Sequence, residues 1–517
     1  MRPLVVFALA LAVSCDRSPA HRAGSGSSAG SAGSGSAGSA VAEQRDAPRA
    51  IEPRDAARGG VNGPALPGHP PEGGDGKGPL SIDPWAPPPP PAPETPATRQ
   101  RRAEAALARV ATIEPEVARL RRLGFERDVP TRYQKPDEFR AFVRREIARE
   151  LPAARSRDLT AALAHLGFLA RPTDLAGVEE QAMTTQAGAY YDPAAKAFFL
   201  VMVPSSDLLL DTMSAHELTH ALQDQHFDLE RFLPADGKLD DDAATARRFV
   251  AEGDATLVML LYAMRTMLGD RLTPPVVAAL HDQIEKLAGQ DLAALEAQLR
   301  SQSALFGGID AEIQKSIDAM DDLPPAVLVP LLDSYMKGAL VALTAYERGG
   351  WAAVDALYRD PPSSTEQVLH PATKLFPVRD RPRRVTLART ADPALAGNVL
   401  GELQWKIYFE LWKVPHAAEA AAGWGGDRYA VTRRRDGRLI GRIATVWDTT
   451  EDARQFADAY AASLAARFPG GGPLAAGIAR PGGGRVFVRV AGDRVFIVDG
   501  ADDAAAIDAL VKSTKLD

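Results

Sequence analysis

The residues Ser214–Asp224 contain the pattern His-Glu-x-x-His, formed by His216, Glu217 and His220. On a helix, residues four apart project from the same face, so the two imidazoles would lie side by side. Two neutral imidazoles at this spacing can hold one zinc ion, and Glu217 is then placed to act as general base on a metal-bound water. The pattern predicts a hydrolytic zinc site. The alternative is an ordinary helix that carries two histidines by chance.

Apolar residues recur at helical spacing around this pattern, which predicts that it lies on a helix. These residues are Leu208, Leu209, Met213, Leu218, Leu222 and Phe227. Asp207 or Asp211 is placed to cap the start of that helix. The helix is therefore the element that must hold both imidazoles and Glu217 in one orientation.

A catalytic zinc site needs a third protein ligand and one open position. Downstream, Glu252 and Asp254 precede an apolar stretch that predicts a second helix. Residues 221–251 leave room for the rest of the first helix, a loop and the antiparallel return of the second. The alternative to a ligand role for Glu252 is a carboxylate that complements a helix dipole or faces solvent. Asp254 is either a competing ligand or a partner that orients a ligating histidine.

His-Glu-x-x-His followed by a Glu on a second helix resembles the gluzincin zinc metallopeptidases. The resemblance covers roughly residues 180–375 and implies that His216, His220 and Glu252 bind zinc while Glu217 is the catalytic base. The segments HELTHALQDQHFDL and VAEGDAT also resemble a group of bacterial secreted and lipoprotein metallopeptidases. One departure concerns spacing, because thermolysin-like members carry a nearer Glu-x-x-x-Asp, whereas this chain has Glu-Gly-Asp.

A zinc peptidase also needs a donor for the tetrahedral oxyanion, often a His or a Tyr. His370 and Tyr335 are the catalytic candidates for this role. His370 ends the segment STEQVLHP, which resembles a segment of the same bacterial group. The alternative is a capped helix start after Pro362, with His370 as a structural hydrogen-bond donor. Glu366 and Gln367 could equally contact the ligating residues without binding zinc themselves.

The composition sets outer bounds on the protein. Its 517 residues are 45% hydrophobic and 25% charged, enough for two or more domains. A formal net charge of −7 argues against a nucleic-acid-binding protein. The single cysteine excludes an internal disulfide.

That cysteine, Cys15, follows a start typical of exported proteins. Met1–Arg2 is basic, and residues 4–13 are apolar but too short to span a bilayer as a mature helix. Residues 12–15 resemble a bacterial lipobox, which implies that 1–15 is a signal peptide and that Cys15 is lipidated. The alternative is an ordinary secretory signal. Because no later stretch of about 18 uninterrupted apolar residues follows, we predict a cell-envelope protein, lipid-anchored on the periplasmic or outer-membrane side.

Three segments follow the signal peptide. Residues 16–97 are rich in Gly, Ser and Ala, then in Pro, and predict a disordered linker. Residues 98–390 predict a mainly α domain, a zincin-like helical core with a small hairpin at 186–203. By the resemblance, the hairpin edge would align an extended peptide, the alternative being a purely structural hairpin. Residues 395–517 predict a small α+β domain of order ββαββα, with helices on one face of an antiparallel sheet.

These features together predict zinc-dependent hydrolysis of peptide bonds by a membrane-tethered lipoprotein. Zn²⁺ is the expected cofactor, a protein or peptide the expected substrate, and nucleic acid is not expected as a partner. One alternative is a non-catalytic envelope protein that binds or scaffolds, which would show a closed or empty site or a Glu252 that points away. Another is a zinc amidase acting on cell-wall links.

Overall fold

The computed structural model describes residues 4–5, 95–170, 173–186, 188–202, 207–234, 237–269, 273–290 and 323–517. Cys15, nearly all of the predicted signal peptide and nearly all of the predicted linker lie outside these residues. The predictions for the N-terminus therefore stay predictions.

The first part of the described chain is mainly helical. Its helices are α1 (Pro96–Arg121), α2 (Pro136–Glu150), α3 (Ala153–Leu166), α4 (Leu175–Gln186), α5 (Asp207–Phe227), α6 (Leu229–Phe232), α7 (Asp241–Leu268), α8 (Pro274–Ala288), α9 (Pro325–Arg359) and α10 (Thr365–Leu369), followed by a π-helical turn (Pro371–Leu375). Helix α3 ends at Gly167, whose φ of 89° is the left-handed conformation that glycine adopts without strain. Helix α9 has non-helical backbone at Gly349 and Gly350, where two helical segments meet at a kink.

A small sheet lies before α5 in the chain. Its strands are β1 (Leu4–Val5), β2 (Thr131–Tyr133), β3 (Ala189–Asp192) and β4 (Ala197–Leu200), in the order β1-β3-β4-β2. The predicted hairpin is confirmed as β3 and β4, which pair antiparallel with Tyr191 opposite Phe198. β2 adds a parallel strand beside β4. Three residues are too few to show the period-two pattern of a strand, which is why β2 was not predicted.

The main core lies between α1, α5, α7 and α9. Met213, Leu218 and Leu222 of the predicted apolar set are buried there, whereas Leu208 is 40% exposed. Full burial of a large aliphatic side chain stabilises the fold by about 1.5–3 kcal/mol. These side chains fix the rotation of α5 and thereby the direction in which its histidines point.

Helix α9 is apolar and central. Among the described residues it is the one helix long and apolar enough to cross a membrane, and 56% of its most apolar window is buried inside the protein. It crosses α7 at a glycine pair, where a Cβ built on Gly253 would lie 2.0 Å from the carbonyl oxygen of Gly338. The two backbones therefore touch directly beside Glu252 and Asp254.

The C-terminal part is α+β. Its elements are β5 (Val385–Thr386), β6 (Ala394–Ala396), α11 (Gly401–Leu411), α12 (Ala417–Ala421), β7 (Trp424–Arg433), β8 (Leu439–Trp447), α13 (Thr450–Arg467), a short 3₁₀ turn (Leu474–Ala476), β9 (Ile478–Ala479), β10 (Arg485–Ala491), β11 (Arg494–Ala501), α14 (Ala505–Ser513) and β12 (Lys515–Leu516). Six strands form one antiparallel sheet in the order β6-β7-β8-β11-β10-β9. The predicted fold class, mainly α with a C-terminal α+β region, is confirmed.

The prediction that helices cover only one face of this sheet is wrong. Val495 and Ile497 of β11 join a core that includes α13, whereas Phe496 and Val498 join a second core that includes α14. Successive strand residues point to opposite faces, so a continuous apolar run requires cover on both faces.

Candidate metal site

Helices α5 and α7 bring the predicted ligands into one cluster, the His–His–Glu cluster of His216, His220 and Glu252. The two Nε2 atoms lie 3.0 Å apart, and Glu252 Oε2 lies 3.2 Å from His216 Nε2 and 3.6 Å from His220 Nε2. Ligands at 2.0–2.1 Å around a tetrahedral zinc ion are separated by about 3.3–3.4 Å. The three atoms therefore fit one zinc ion, and Glu252 points toward the histidines.

The orientation of His220 is set by Gln223. The Gln223 Nε2 donates to the carbonyl oxygen of Ala251 at 2.9 Å, so its Oε1 faces His220 Nδ1 at 2.8 Å. An amide oxygen only accepts, which places the imidazole proton on Nδ1 and leaves the Nε2 lone pair facing the cluster. Gln223 was not predicted as part of the site, although its position three residues after His220 puts it on the same helix face.

Asp254 lies behind the cluster and holds Gln223. Its carboxylate accepts hydrogen bonds from Gln223 Nε2 at 3.2 Å, Arg121 Nε at 2.8 Å and Tyr358 Oη at 2.9 Å. Of the two roles left open by the sequence, the geometry supports the one that orients a histidine. Nothing in the sequence marks Arg121 or Tyr358, which lie 133 and 104 residues from Asp254.

Replacing Gln223 by Leu is expected to weaken zinc binding by about 10–100-fold, because His220 loses the acceptor that fixes its tautomer. Competition with a chromophoric chelator measures the change. Gln225→Leu is the matched control, since Gln225 lies on the same helix but binds the backbone of residues 126 and 127. Equal losses in the two variants would contradict the assigned role of Gln223.

Glu217 is held by the backbone of β3. Its Oε2 accepts a hydrogen bond from Tyr191 N at 2.8 Å, while its buried Oε1 has no partner in the described part of the chain. Burial raises the pKa of Glu217 well above its ordinary value, and the nearby Glu252 raises it further. One oxygen is thus fixed, and the other is free to take a proton.

The buried carboxyl of Glu217 leads to a prediction about stability. In metal-free protein, Glu217→Gln is expected to be more stable than wild type by about 1–3 kcal/mol at about pH 8. The raised pKa means that the folded state binds more protons than the unfolded state, so wild-type stability falls as pH rises above the ordinary carboxyl pKa. The gap should vanish near pH 4, where both states are largely protonated.

Urea unfolding at several pH values measures this gap. Glu230→Gln is the control, because the Glu230 side chain is 53% exposed. A gap that is independent of pH, or one equally large in the control, would contradict the prediction.

The protonation states of His216 and Glu252 match those of zinc ligands. Burial lowers the pKa of His216 to about 4. Burial alone would raise the pKa of Glu252, but the adjacent imidazoles of His216 and His220 outweigh it and lower that pKa to about 2. His216 is therefore neutral and Glu252 ionised at neutral pH, as ligation requires.

The two candidate oxyanion donors lie in different places. Tyr335 is buried beside the cluster, with its ring centroid 5.9 Å from that of His216. His370 is 39% exposed and its Nε2 lies 2.7 Å from Glu402 Oε1, a hydrogen bond that raises the pKa of His370. It follows α10, which Ser364 caps. The geometry of His370 thus matches the structural alternative, whereas Tyr335 remains a candidate.

A second group of carboxylates, Glu366, Asp380 and Asp448, also converges. Lys374 Nζ lies 3.1 Å from Glu366 and 2.6 Å from Asp380, and it also contacts Asp448. A protonated amine already supplies positive charge at this position. The group is therefore an ion-pair network between α10 and the turn after β8.

The C-terminal sheet is the part of the chain that matches a family. Residues 388–510 match a domain of unknown function, DUF8575. This match spans β6 to α14 and does not include the His–His–Glu cluster. No curated protein and no solved structure matches the chain.

Proposed function

We propose that this protein is a zinc-dependent hydrolase that cleaves peptide bonds. The observation that supports this is the His–His–Glu cluster beside Glu217, a carboxylate with one free oxygen. Structural zinc sites use four protein ligands, whereas catalytic sites use three and keep one position open. Three protein ligands with an adjacent base form the set that hydrolysis needs.

A bound zinc ion would supply Lewis acidity and lower the pKa of water. Glu217, anchored by Tyr191 N, takes the proton of the attacking water with its free oxygen and passes it to the leaving amine. Tyr335 beside His216 is the candidate donor to the oxyanion.

The position of β3 supports a peptide as substrate. Tyr191 N binds Glu217, so an extended chain that pairs with β3 would pass close to the base. Leu4–Val5 pair antiparallel with that edge and belong to the predicted signal peptide. Removal of the signal peptide would leave the edge open for substrate.

One observation favours a second function. His216, His220 and Glu217 have no exposed surface, and Glu252 is 3% exposed. A closed site is what a non-catalytic envelope protein would show if it keeps a metal for stability. Tests of the proposal must therefore separate metal binding from turnover.

We also propose that a lipid on Cys15 anchors the protein in the cell envelope. Expression of the full chain and of Cys15→Ser, followed by membrane fractionation and mass determination, tests this. The wild type should partition with membranes and carry a lipid mass that the variant lacks.

The experiment that tests the hydrolase proposal is zinc content per chain after metal reloading, followed by hydrolysis of casein. Wild type should bind about one zinc ion, and His220→Ala and Glu252→Ala should lose it. His226→Ala is the matched control, because His226 lies on the same helix but binds the carbonyl of Gly124. Folded wild type without zinc would overturn the proposal.

Two further outcomes separate the alternatives. Zinc binding without hydrolysis of casein or peptidoglycan peptides would favour the non-catalytic protein. Hydrolysis of peptidoglycan peptides alone would favour the cell-wall amidase.

A further inference from the structure

A cavity of about 930 Å³ opens near the C-terminal end of α5. Asp224, four residues after His220, lines it, so the cavity begins about 6 Å further along the helix than the cluster. Five cationic side chains also line it: Arg127, Lys196, Arg231, Arg247 and Arg359. The volume is in the range of small-molecule sites, which is roughly 300–1,000 Å³.

The acidic residues of the cavity wall are largely engaged by other groups. Asp224 accepts hydrogen bonds from Tyr191 Oη, Lys196 Nζ and Leu229 N. Asp355 pairs with Arg121, which does not line the cavity, at 2.6 Å. The fourth carboxylate of the wall, Glu230, lies 4.0 Å from Lys196, and Asp355 also lies 3.9 Å from Arg359. Three of the four carboxylates therefore pair with cations other than Arg127, Arg231 and Arg247.

Asp228, at the start of α6, accepts a hydrogen bond from the backbone N of Arg231, which brings no positive charge to it. By contrast, the guanidinium groups of Arg127, Arg231 and Arg247 have no acidic partner within the ranges that the structure describes. The wall therefore holds five cations against four carboxylates, and three of its guanidinium groups are left to bind an anion.

Arg247 is the most enclosed of these three arginines. It donates Nη1 to the carbonyl oxygen of Phe232 at 3.0 Å and lies over the Phe232 ring at 5.7 Å. Its Nε is buried and has no hydrogen-bond partner among the described residues. A guanidinium has five N–H donors, and buried donors are normally satisfied by a partner, water or a ligand.

We propose that this cavity binds a small polyanion with phosphate-type oxyanions. Arginine presents a planar fork of donors that matches such oxyanions, and several arginines around one cavity favour a ligand with more than one negative charge.

The cavity shares its wall with the groups that position the metal site. Tyr358 lines it and donates to Asp254, which holds Gln223 and thereby His220. On a second route, Asp224 accepts Tyr191 Oη, and the backbone N of Tyr191 holds Glu217. The ligand therefore regulates the metal site, a step that depends on the proposed function.

Calorimetry of the metal-free full chain with pyrophosphate, at constant ionic strength, tests the binding. We expect one pyrophosphate to bind per chain, with an affinity that falls tenfold or more in Arg247→Gln and in Arg231→Gln. Arg231 is exposed, so its variant serves if Arg247→Gln does not fold. Arg454→Gln is the control, because Arg454 is 66% exposed and pairs with Glu451 on α13. No binding, or an equal loss in the control, would overturn the proposal.

The source of the phosphate is tested with vesicles of phosphatidylglycerol in place of pyrophosphate. Vesicle binding that is lost in Arg247→Gln would identify a lipid headgroup. Binding of soluble pyrophosphate alone would identify a free phosphate compound.

The coupling is tested with benzene-1,3-disulfonate, a dianion that binds zinc poorly. Saturating the protein with this dianion should change the zinc affinity of wild type at least threefold. The zinc affinity of Tyr358→Phe, which cannot donate a hydrogen bond to Asp254, should stay unchanged. An equal change in both proteins would overturn the coupling. The binding test uses metal-free protein, so it stands even if the zinc proposal fails.

Discussion

Glu217→Gln is expected to lower kcat/KM for peptide hydrolysis by about 10²–10⁴-fold, which is the contribution of a positioned general base. The amide oxygen of Gln can still accept the hydrogen bond from Tyr191 N that holds the wild-type carboxylate at 2.8 Å. The other terminal atom becomes an NH₂ group, which cannot take a proton from water. Geometry is therefore kept while the chemistry is removed.

The measurements are kcat/KM on casein-derived peptides and zinc content of the same samples. Zinc content should stay at the wild-type level, because Glu217 is not one of the three residues whose ligand atoms converge in the cluster. Glu230→Gln, in a neighbouring exposed carboxylate, should leave both values unchanged. A fully active Glu217→Gln would show that another group is the base, and loss of zinc would show that Glu217 holds the metal.

The part of the site that the sequence predicts is the part set by local geometry. His216, Glu217 and His220 are four residues or fewer apart on one helix, so helix periodicity alone places them together. Glu252 was predicted from the resemblance and from the room for an antiparallel second helix. The structure brings its Oε2 within 3.6 Å of both histidine Nε2 atoms.

The groups that hold Glu217 and Asp254 in place could not be predicted in the same way. The N–H that holds Glu217 belongs to the backbone of Tyr191, and a main-chain donor leaves no mark in the residue type. Arg121 and Tyr358 reach Asp254 only because α1, α7 and α9 pack together, and that packing depends on the whole core. The contact of His370 with Glu402 could not be predicted for a related reason, since the two residues lie 32 positions apart and meet only through packing.

Two other features, the second covered face of the sheet and the role of Gln223, were not predicted although the sequence indicates them. The run Val495–Val498 is apolar at every position, which is typical of a strand covered on both faces, yet the order ββαββα suggested helices on one face. Gln223 likewise lies at helical spacing from His220.

The Glu-Gly-Asp sequence that departs from the thermolysin-like pattern has a structural reason. Glu252 must reach the histidines and Asp254 must reach Gln223, while the residue between them faces α9. At that point α9 presents Gly338, whose own Cβ would lie 2.5 Å from the carbonyl oxygen of Phe249. Two glycines therefore allow the helices to cross at backbone contact.

Gly253→Ala is accordingly expected to lower the free energy of unfolding by about 3 kcal/mol, the upper part of the range for overpacking, because backbone rather than a flexible side chain must move. The added Cβ would lie 2.0 Å from the Gly338 carbonyl oxygen, so α7 must shift and carry Glu252 and Asp254 with it. Zinc affinity should fall about tenfold or more as a consequence.

Urea unfolding and zinc titration of the same protein measure both effects of Gly253→Ala. Gly124→Ala is the control, since a Cβ at Gly124 meets no atom within 4 Å. If only stability fell, the crossing would serve packing alone. If zinc affinity fell too, the contact of α7 with α9 would be what sets the third ligand, and the spacing between Glu252 and Asp254 would be a property of this helix crossing rather than of the zinc chemistry.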